Sequence, residues 1–414
     1  MSSTTSWKLA VFMLCGIVAQ TYAEGNIDQR LKEFAKQKHQ QAEELATKLH
    51  LDVPAEIREF FQVAEVGDCD SVSNSYERIQ RLTGQLGASL RMPGYTNVLN
   101  VPIYETRGAY EFCNWDGTLL REYANGILNS IPADSVYFGG TDPGRFVITM
   151  FRDTTKSPDI VILTQKFIIT QNALVDTRYV EYLRLTSGER LWLPSVGDVQ
   201  VALQEYGQNL QKRQQRGEQL GPDEQLDATG RPRGVVAVMA VNGILTKMIF
   251  DHNKDKHEFY VEESYVIPWM YPYFEPHGLI LKLAKEPMHK LDPYTVVHDR
   301  QFWDKLAKEL LADSKFLANK EARRAYAKLR STIGGVYAYR KLYDDAAYAY
   351  RQSIELCPDS PEANFRLAQL LLQTGQSEKA IELLEAYQKF DPLNPKIVLA
   401  IQQIRDMQHP TKTK

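Results

Sequence analysis

The sequence predicts a chain that is α/β plus all-α: N-terminal helices, a mainly parallel α/β domain, and a C-terminal array of paired helices. Three observations predict this. Apolar residues fall at helical spacing between residues 27 and 82. Short β-prone runs alternate with helical stretches between residues 131 and 290. From residue 327 onward, small, large and proline positions recur at a period of 34.

The 414 residues suit two or three domains of roughly 100–200 residues each. Apolar residues make up 43% and charged residues 24%, which excludes disorder over most of the chain. Forty-nine basic against 52 acidic residues give a net charge of −3. No global basic field exists, so nucleic acid is not the expected partner.

Residues 1–23 read as a signal peptide. Lys8 is the one charge of a short leading region, and Leu9 to Ala19 is an apolar run of 11 residues. That length suits a signal core of about 7–15 residues and falls short of the roughly 20 a membrane helix needs. Thr21 and Ala23 place small residues at −3 and −1, so cleavage is expected after Ala23. The expectation is export to the periplasm or cell envelope, with no membrane span after cleavage. Cys15 leaves with the leader, and Cys69, Cys113 and Cys357 remain. An odd number leaves at least one thiol without an internal partner. The sequence leaves open whether Cys69 and Cys113 pair, because a disulfide needs Cα atoms within about 7 Å.

Residues 24–130 form the N-terminal helical region. Ile27, Leu31, Phe34, Ala42, Leu45 and Leu49 make a helical stripe, interrupted by polar residues around Lys38. Pro54 opens a second helix with the apolar face Ile57, Phe60, Phe61 and Ala64. Gly67 and Asp68 break it, and a third helix runs through Tyr76, Ile79 and Leu82.

The α/β domain is expected over 131–290. Ser135 to Phe138 is a β-prone run, followed by Gly139, Gly140, Thr141, Asp142, Pro143, Gly144 and Arg145. A helix then follows through Phe146 to Phe151. Asp159 to Leu163 reads as a buried parallel strand and Asn172 to Leu185 as the next helix. Val235 to Phe250 is almost wholly apolar and long enough for a buried helix. Phe259 to Val261 and Gly278 to Leu283 supply further strands. The alternation predicts a Rossmann-like, mainly parallel sheet. Residues 213–234 carry few apolar residues and read as a flexible insertion.

Within this domain the turn after the first strand is the candidate ligand site. It lies between a strand and a helix, where open α/β sheets bind ligands. Thr141, Asp142 and Arg145 are its candidate contacts for a small anionic or sugar ligand. The turn matches neither nucleotide-binding glycine fingerprint. The bland reading is a glycine-rich turn with Asp142 capping the helix. The polar stretch holding His252, Asp255 and His257 matches no zinc spacing. Glu262 and Glu263 are neighbours on a strand and point to opposite faces, so they are no catalytic dyad. Trp269, Tyr271, Tyr273 and Phe274 are read as a packing corner that also suits sugar stacking. No catalytic set, metal site or cofactor is assigned.

The region 300–408 is helical. Gly334, Tyr337, Ala346, Tyr350 and Pro358 recur as Ala368, Leu371, Ala380, Leu384 and Pro392. This pattern resembles the tetratricopeptide repeat, with units at 327–360 and 361–394. Gly375 serves the turn inside the second unit, and Leu342 is expected at the matching place in the first. About three units are needed for a continuous core, so the pair needs caps. Ile397, Ala400, Ile401 and Ile404 offer one on a closing helix, and Phe302, Leu306, Leu310 and Leu311 offer the other. The resemblance implies a partner protein bound in a groove lined by the first helix of each unit. The groove positions include Lys328, Ser331, Gly335 and Tyr339, then Glu362, Phe365, Gln369 and Gln373. Lys328, Tyr339, Phe365 and Gln369 are the candidate partner-binding residues. The basic clamp that some members use for a terminal carboxylate is not reproduced.

Residues 137–146, with Gln165, Asn172, Asp176 and Pro272 to Leu279, resemble an uncharacterised family of exported bacterial proteins. More faintly, 115–285 resembles the soluble domain of certain envelope glycosyltransferases. The catalytic acids of those enzymes lie in membrane-embedded parts that have no counterpart here. Two functional readings follow. In the first, a non-enzymatic envelope protein binds or organises another protein through its repeats. In the second, a ligand-binding or enzymatic α/β domain is merely braced by them.

Overall fold

A computed structural model describes residues 27–82, 98–154, 166–221, 223–227, 232–263 and 265–408. The expected leader and cleavage site, Cys15, the strand expected at 159–163 and Gln165 lie outside these residues. The first helix, α1 (Ile27–Leu49), is unbroken. Its polar middle is not an interruption, because Lys38 is itself buried. The Lys38 ammonium lies 2.5 Å from Glu105 and 3.0 Å from Asp153. A buried charge is tolerated when it is paired in this way. Helix α2 (Ala55–Val66) begins directly after Pro54, and α3 (Cys69–Leu82) follows the break at Gly67. Helices α4 (Asn100–Tyr110) and α5 (Gly117–Leu128) complete the region. A disulfide joins Cys69 to Cys113, with Cα atoms 6.4 Å apart, while Cys357 is free and buried.

Among the described residues, the sheet has five strands in the order β2-β1-β5-β7-β6. β1 (Val136–Gly139) pairs in parallel with β2 (Phe167–Thr170) on one side and β5 (Phe259–Val261) on the other. β7 (Ile280–Leu283) then runs antiparallel to both β5 and the edge strand β6 (Phe274–His277). The expectation of a mainly parallel, Rossmann-like sheet is corrected here: the sheet is mixed, with a parallel half and an antiparallel hairpin. The cause is local. His277 pairs with Ile280, leaving a two-residue loop whose first member, Gly278, has φ +60°. A glycine there supplies the tight hairpin turn. Pro276 fits because β6 is an edge strand, where proline costs no ladder bond.

A π-helical turn (Pro143–Val147) leads from β1 into α6 (Ile148–Asp153). α7 (Thr177–Ser187) starts at Asp176, whose side chain accepts from the Arg178 amide. α8 (Val196–Gln215) opens with a capping box between Ser195 and Asp198. It extends into the segment expected to be a flexible insertion. Beyond it lies a short hairpin, β3 (Gln225–Leu226) with β4 (Pro232–Arg233). Glu224 beside it is held by Arg213 and Tyr206. α9 (Val235–Asn253) is the long apolar helix, burying Ala237, Val241, Leu245 and Ile249 against the sheet region.

The C-terminal part starts with α10 (Pro293–Ala312) and the short α11 (Ser314–Ala318). The repeats are α12 (Lys320–Tyr339) with α13 (Tyr343–Leu356), then α14 (Pro361–Gln373) with α15 (Ser377–Gln388). α12 begins seven residues before the repeat boundary because Asn319 caps it. The small residue at 334 is required: a Cβ there would lie 2.7 Å from the Tyr350 ring. The turn residue equivalent to Gly375 (φ +75°) is Lys341 (φ +61°), not Leu342 as expected. α16 (Pro395–Gln408) closes the array by burying Ile397, Ile401 and Ile404. α10 closes the other side mainly through Trp303, Ala307 and Leu310. One contiguous apolar core runs from Leu31 to Ile404.

The disulfide closes a loop of 44 residues. Replacing Cys69 and Cys113 by serine is expected to lower unfolding free energy by about 3 kcal/mol, read by urea denaturation. Dithiothreitol should lower the wild type to the same level and leave the variant unchanged.

Candidate functional site

The residues expected to line the repeat groove are placed against the sheet as much as against solvent. Ser331 is fully buried, and its carbonyl accepts a hydrogen bond from Arg366 on α14. Gly335 packs closely: a Cβ there would meet the Arg366 guanidinium at 3.1 Å and the Tyr271 hydroxyl at 3.3 Å, so these side-chain ends would have to give by a few tenths of an ångström. Between these lies Glu263, which follows β5. Its carboxylate accepts from the Arg366 guanidinium at 3.0 Å and from the Tyr271 hydroxyl at 2.9 Å. Burial and the neighbouring Glu263 both push the Tyr271 phenol above its ordinary range, so it stays a donor. Arg340, just past α12, donates to the carbonyls of Tyr271 and Pro272. The inner face of the first repeat is thus filled by the segment between β5 and β6. The clamp missing at the groove positions has a counterpart one residue along, where Arg366 holds an internal carboxylate.

The four candidate partner-binding residues sit around this contact. Lys328 pairs with Glu362 at 3.2 Å, linking α12 to α14. Tyr339 is half-exposed and meets Tyr271 edge-on, with ring centroids 5.4 Å apart. Phe365 is half-buried and meets Tyr387 edge-on at 5.9 Å. Gln369 is exposed.

The glycine-rich turn carries a carboxylate of its own chain. The amides of Gly140 and Thr141 donate to one oxygen of Glu262, at 2.8 and 2.7 Å. The Thr141 hydroxyl donates to the other at 2.6 Å. A Cβ at Gly144 would lie 2.1 Å from Glu262, so glycine is needed there for the carboxyl to enter. The backbone cradle proposed for an external anion is therefore occupied by Glu262. Thr141 also accepts from the Gly144 amide and so caps the turn. Asp142 does not cap it and instead pairs with Arg145. Arg145 lies over the Phe146 ring at 4.4 Å and donates to the Tyr104 hydroxyl. Asp142 and Arg145 line a cavity of about 300 Å³, and Arg145 also lines a neighbouring one of about 390 Å³ with Thr170, Asn172 and Arg178. Thr141 lines neither.

Glu262 and Glu263 thus point apart, and each ties β5 to a different neighbour. Neither was singled out as a site by sequence reasoning; the available signal was a pair of acids directly after an apolar strand. His252 stacks on Trp192 and His257 bonds to the Asp134 carbonyl, so both serve local packing. Among the described residues, no group of three or more His, Cys, Asp or Glu is placed to hold a metal.

Residues 339–404 match the family model of the tetratricopeptide repeat. The match begins at the end of α12 and runs into α16, the segment in which the period of 34 is visible. The chain is therefore a tetratricopeptide-repeat-containing protein. A comparison with curated proteins gave no match.

Burial raises the Glu262 carboxyl above its ordinary pKa, with the Thr141 and Gly140 bonds opposing. The native state then holds a proton that the unfolded chain has released, so this group's contribution to stability declines as pH rises past the ordinary glutamate range. Glu262→Gln keeps the shape, can still accept from the amides, and does not titrate. Relative to wild type, the variant is expected to gain stability as pH is raised above the ordinary glutamate range of about 4–5, in a urea-denaturation series across that range. A constant difference across that range contradicts the assignment.

Proposed function

We propose that this is an exported envelope protein whose tetratricopeptide repeats bind or organise another protein. The observation that carries the reading is the repeat match at 339–404 together with the surface those repeats leave open. Stacked helical hairpins present a face suited to protein partners. Here the inner part of that face is closed by Glu263 and Tyr271. The partner therefore engages the rim, where Tyr339 and Gln369 are exposed, with Phe365 and Lys328 behind them. Export is supported by the leader pattern in residues 1–23 and by the Cys69–Cys113 disulfide, a bond that persists in oxidising compartments.

The second reading, a ligand-binding α/β domain braced by the repeats, is favoured by one observation. The cavities beside Arg145 lie at the carboxyl ends of the parallel strands, where such sheets bind ligands.

The test uses cell-envelope extract and the mature chain. Tyr339→Ala also removes the contact to Tyr271, so Gln369→Arg is the cleaner probe. A partner captured by wild type is expected to be lost from Gln369→Arg at unchanged melting temperature. An unchanged set of partners, or none, supports the bracing reading instead.

A further inference from the structure

Helix α9 carries an apolar surface wider than the stripe it buries completely. Ala237, Val241, Leu245 and Ile249 are fully buried. Beside them Val236, Met239, Ala240, Ile244 and Met248 form an adjoining stripe at helical spacing, with Met239, Ala240, Ile244 and Met248 partly buried and Val236 exposed. This stripe floors an open groove of about 870 Å³, walled by Tyr206 of α8 and by Tyr265 and Trp269. The volume lies within the range of about 300–1,000 Å³ typical of small-molecule sites. From Val236 to Met248 the stripe is about 18 Å long, at about 1.5 Å per helical residue.

The chemistry of the walls narrows the occupant. The Trp269 indole N–H donates to the Gly243 carbonyl at 2.9 Å. The Tyr206 hydroxyl is committed to Glu224, and Tyr265 to the Met239 carbonyl. Among the described residues, the lining side chains Glu205 and Asn209 are exposed, and no buried donor or acceptor on the walls is left for a ligand. A sugar, a nucleotide or an extended peptide would lose hydration there without replacement. A hydrocarbon chain loses nothing. Among the described residues, the one cation on the lining is Lys247, whose ammonium lies 5.5 Å over the Trp269 ring. Its partner Asp251 is a surface residue one turn away, a pairing weak enough to yield to a competing carboxylate.

We propose that this groove binds a long-chain fatty acid, with the acyl chain along the α9 stripe and the carboxylate at Lys247. The proposal accounts for a helix that has the length and apolar character of a membrane span, with a mean hydropathy of 1.4, yet is less than half buried. It also accounts for the exposure of Val236 and Val266, the valines at the mouth of the groove.

The test is displacement of fluorescent cis-parinaric acid by palmitate on the intact chain. Saturable binding is expected, with affinity reduced at least tenfold by Ala240→Trp, which fills the groove without touching the core stripe. If that variant melts early, Ala240→Leu provides the same comparison at lower bulk. Lys247→Gln is expected to weaken palmitate several-fold while leaving hexadecanol unchanged. Absence of saturable binding overturns the proposal, as does wild-type affinity in the folded groove variant. Co-sedimentation with phosphatidylcholine vesicles without uptake of monomeric fatty acid also overturns it, and reassigns the valine mouth to a membrane surface.

Discussion

Glu263 leaves the end of a sheet strand almost fully buried and meets Arg366 on the second repeat, with the Tyr271 hydroxyl as its second partner. A carboxylate in that position is tolerable only because all three groups are present. Removing one partner of a buried pair costs about 3–5 kcal/mol, since the survivor is left without compensation. The sheet and the helical array are therefore not independent bodies joined by a linker. Gly335 lets the Arg366 and Tyr271 groups pack closely beside α12, and Arg340 fixes the backbone on which Tyr271 sits. The preceding residue, Glu262, turns the other way and anchors the glycine-rich turn after β1. Two adjacent acids thus hold β5 between the repeats and the parallel half of the sheet.

This arrangement answers a stability problem set by the repeats. Two helical hairpins cannot bury a continuous core alone. α16 closes one end with three isoleucines. The other end is closed by α10, whose Asp299 is buried against Arg330 and the Tyr337 hydroxyl of α12. The inner face, usually open to a ligand, is partly used for the intramolecular contact. The surface proposed for a partner is then the rim. The same economy appears at the glycine-rich turn, where the amides that suit an external anion are satisfied internally.

The repeats were legible because their signal is positional. Gly334 and Ala368, or Pro358 and Pro392, recur at a fixed offset whatever surrounds them. α9 was legible because only a helix accommodates so long an apolar run. The failures share a different cause: each depended on a partner distant in sequence. Lys38 looked like a break in a stripe, because its partners Glu105 and Asp153 lie more than sixty residues away. The β6–β7 hairpin was hidden by Pro272 and Pro276, which lower strand propensity regardless of an edge position. The occupied cradle at Gly140 and Thr141 was read as open because nothing local announces Glu262, 122 residues on from Gly140. The turn at Lys341 was missed because a non-glycine residue with positive φ carries no compositional mark.

The account rests on the ion pair acting as the joint between sheet and repeats, and a double-mutant cycle measures that directly. Glu263→Gln, Arg366→Met and the double variant would be compared with wild type by urea denaturation. The account predicts a coupling energy of about 2 kcal/mol or more, with the double variant less destabilised than the sum of the singles. Additivity within about 0.5 kcal/mol would contradict it, and would mean that the sheet and the repeats are held together by apolar packing alone.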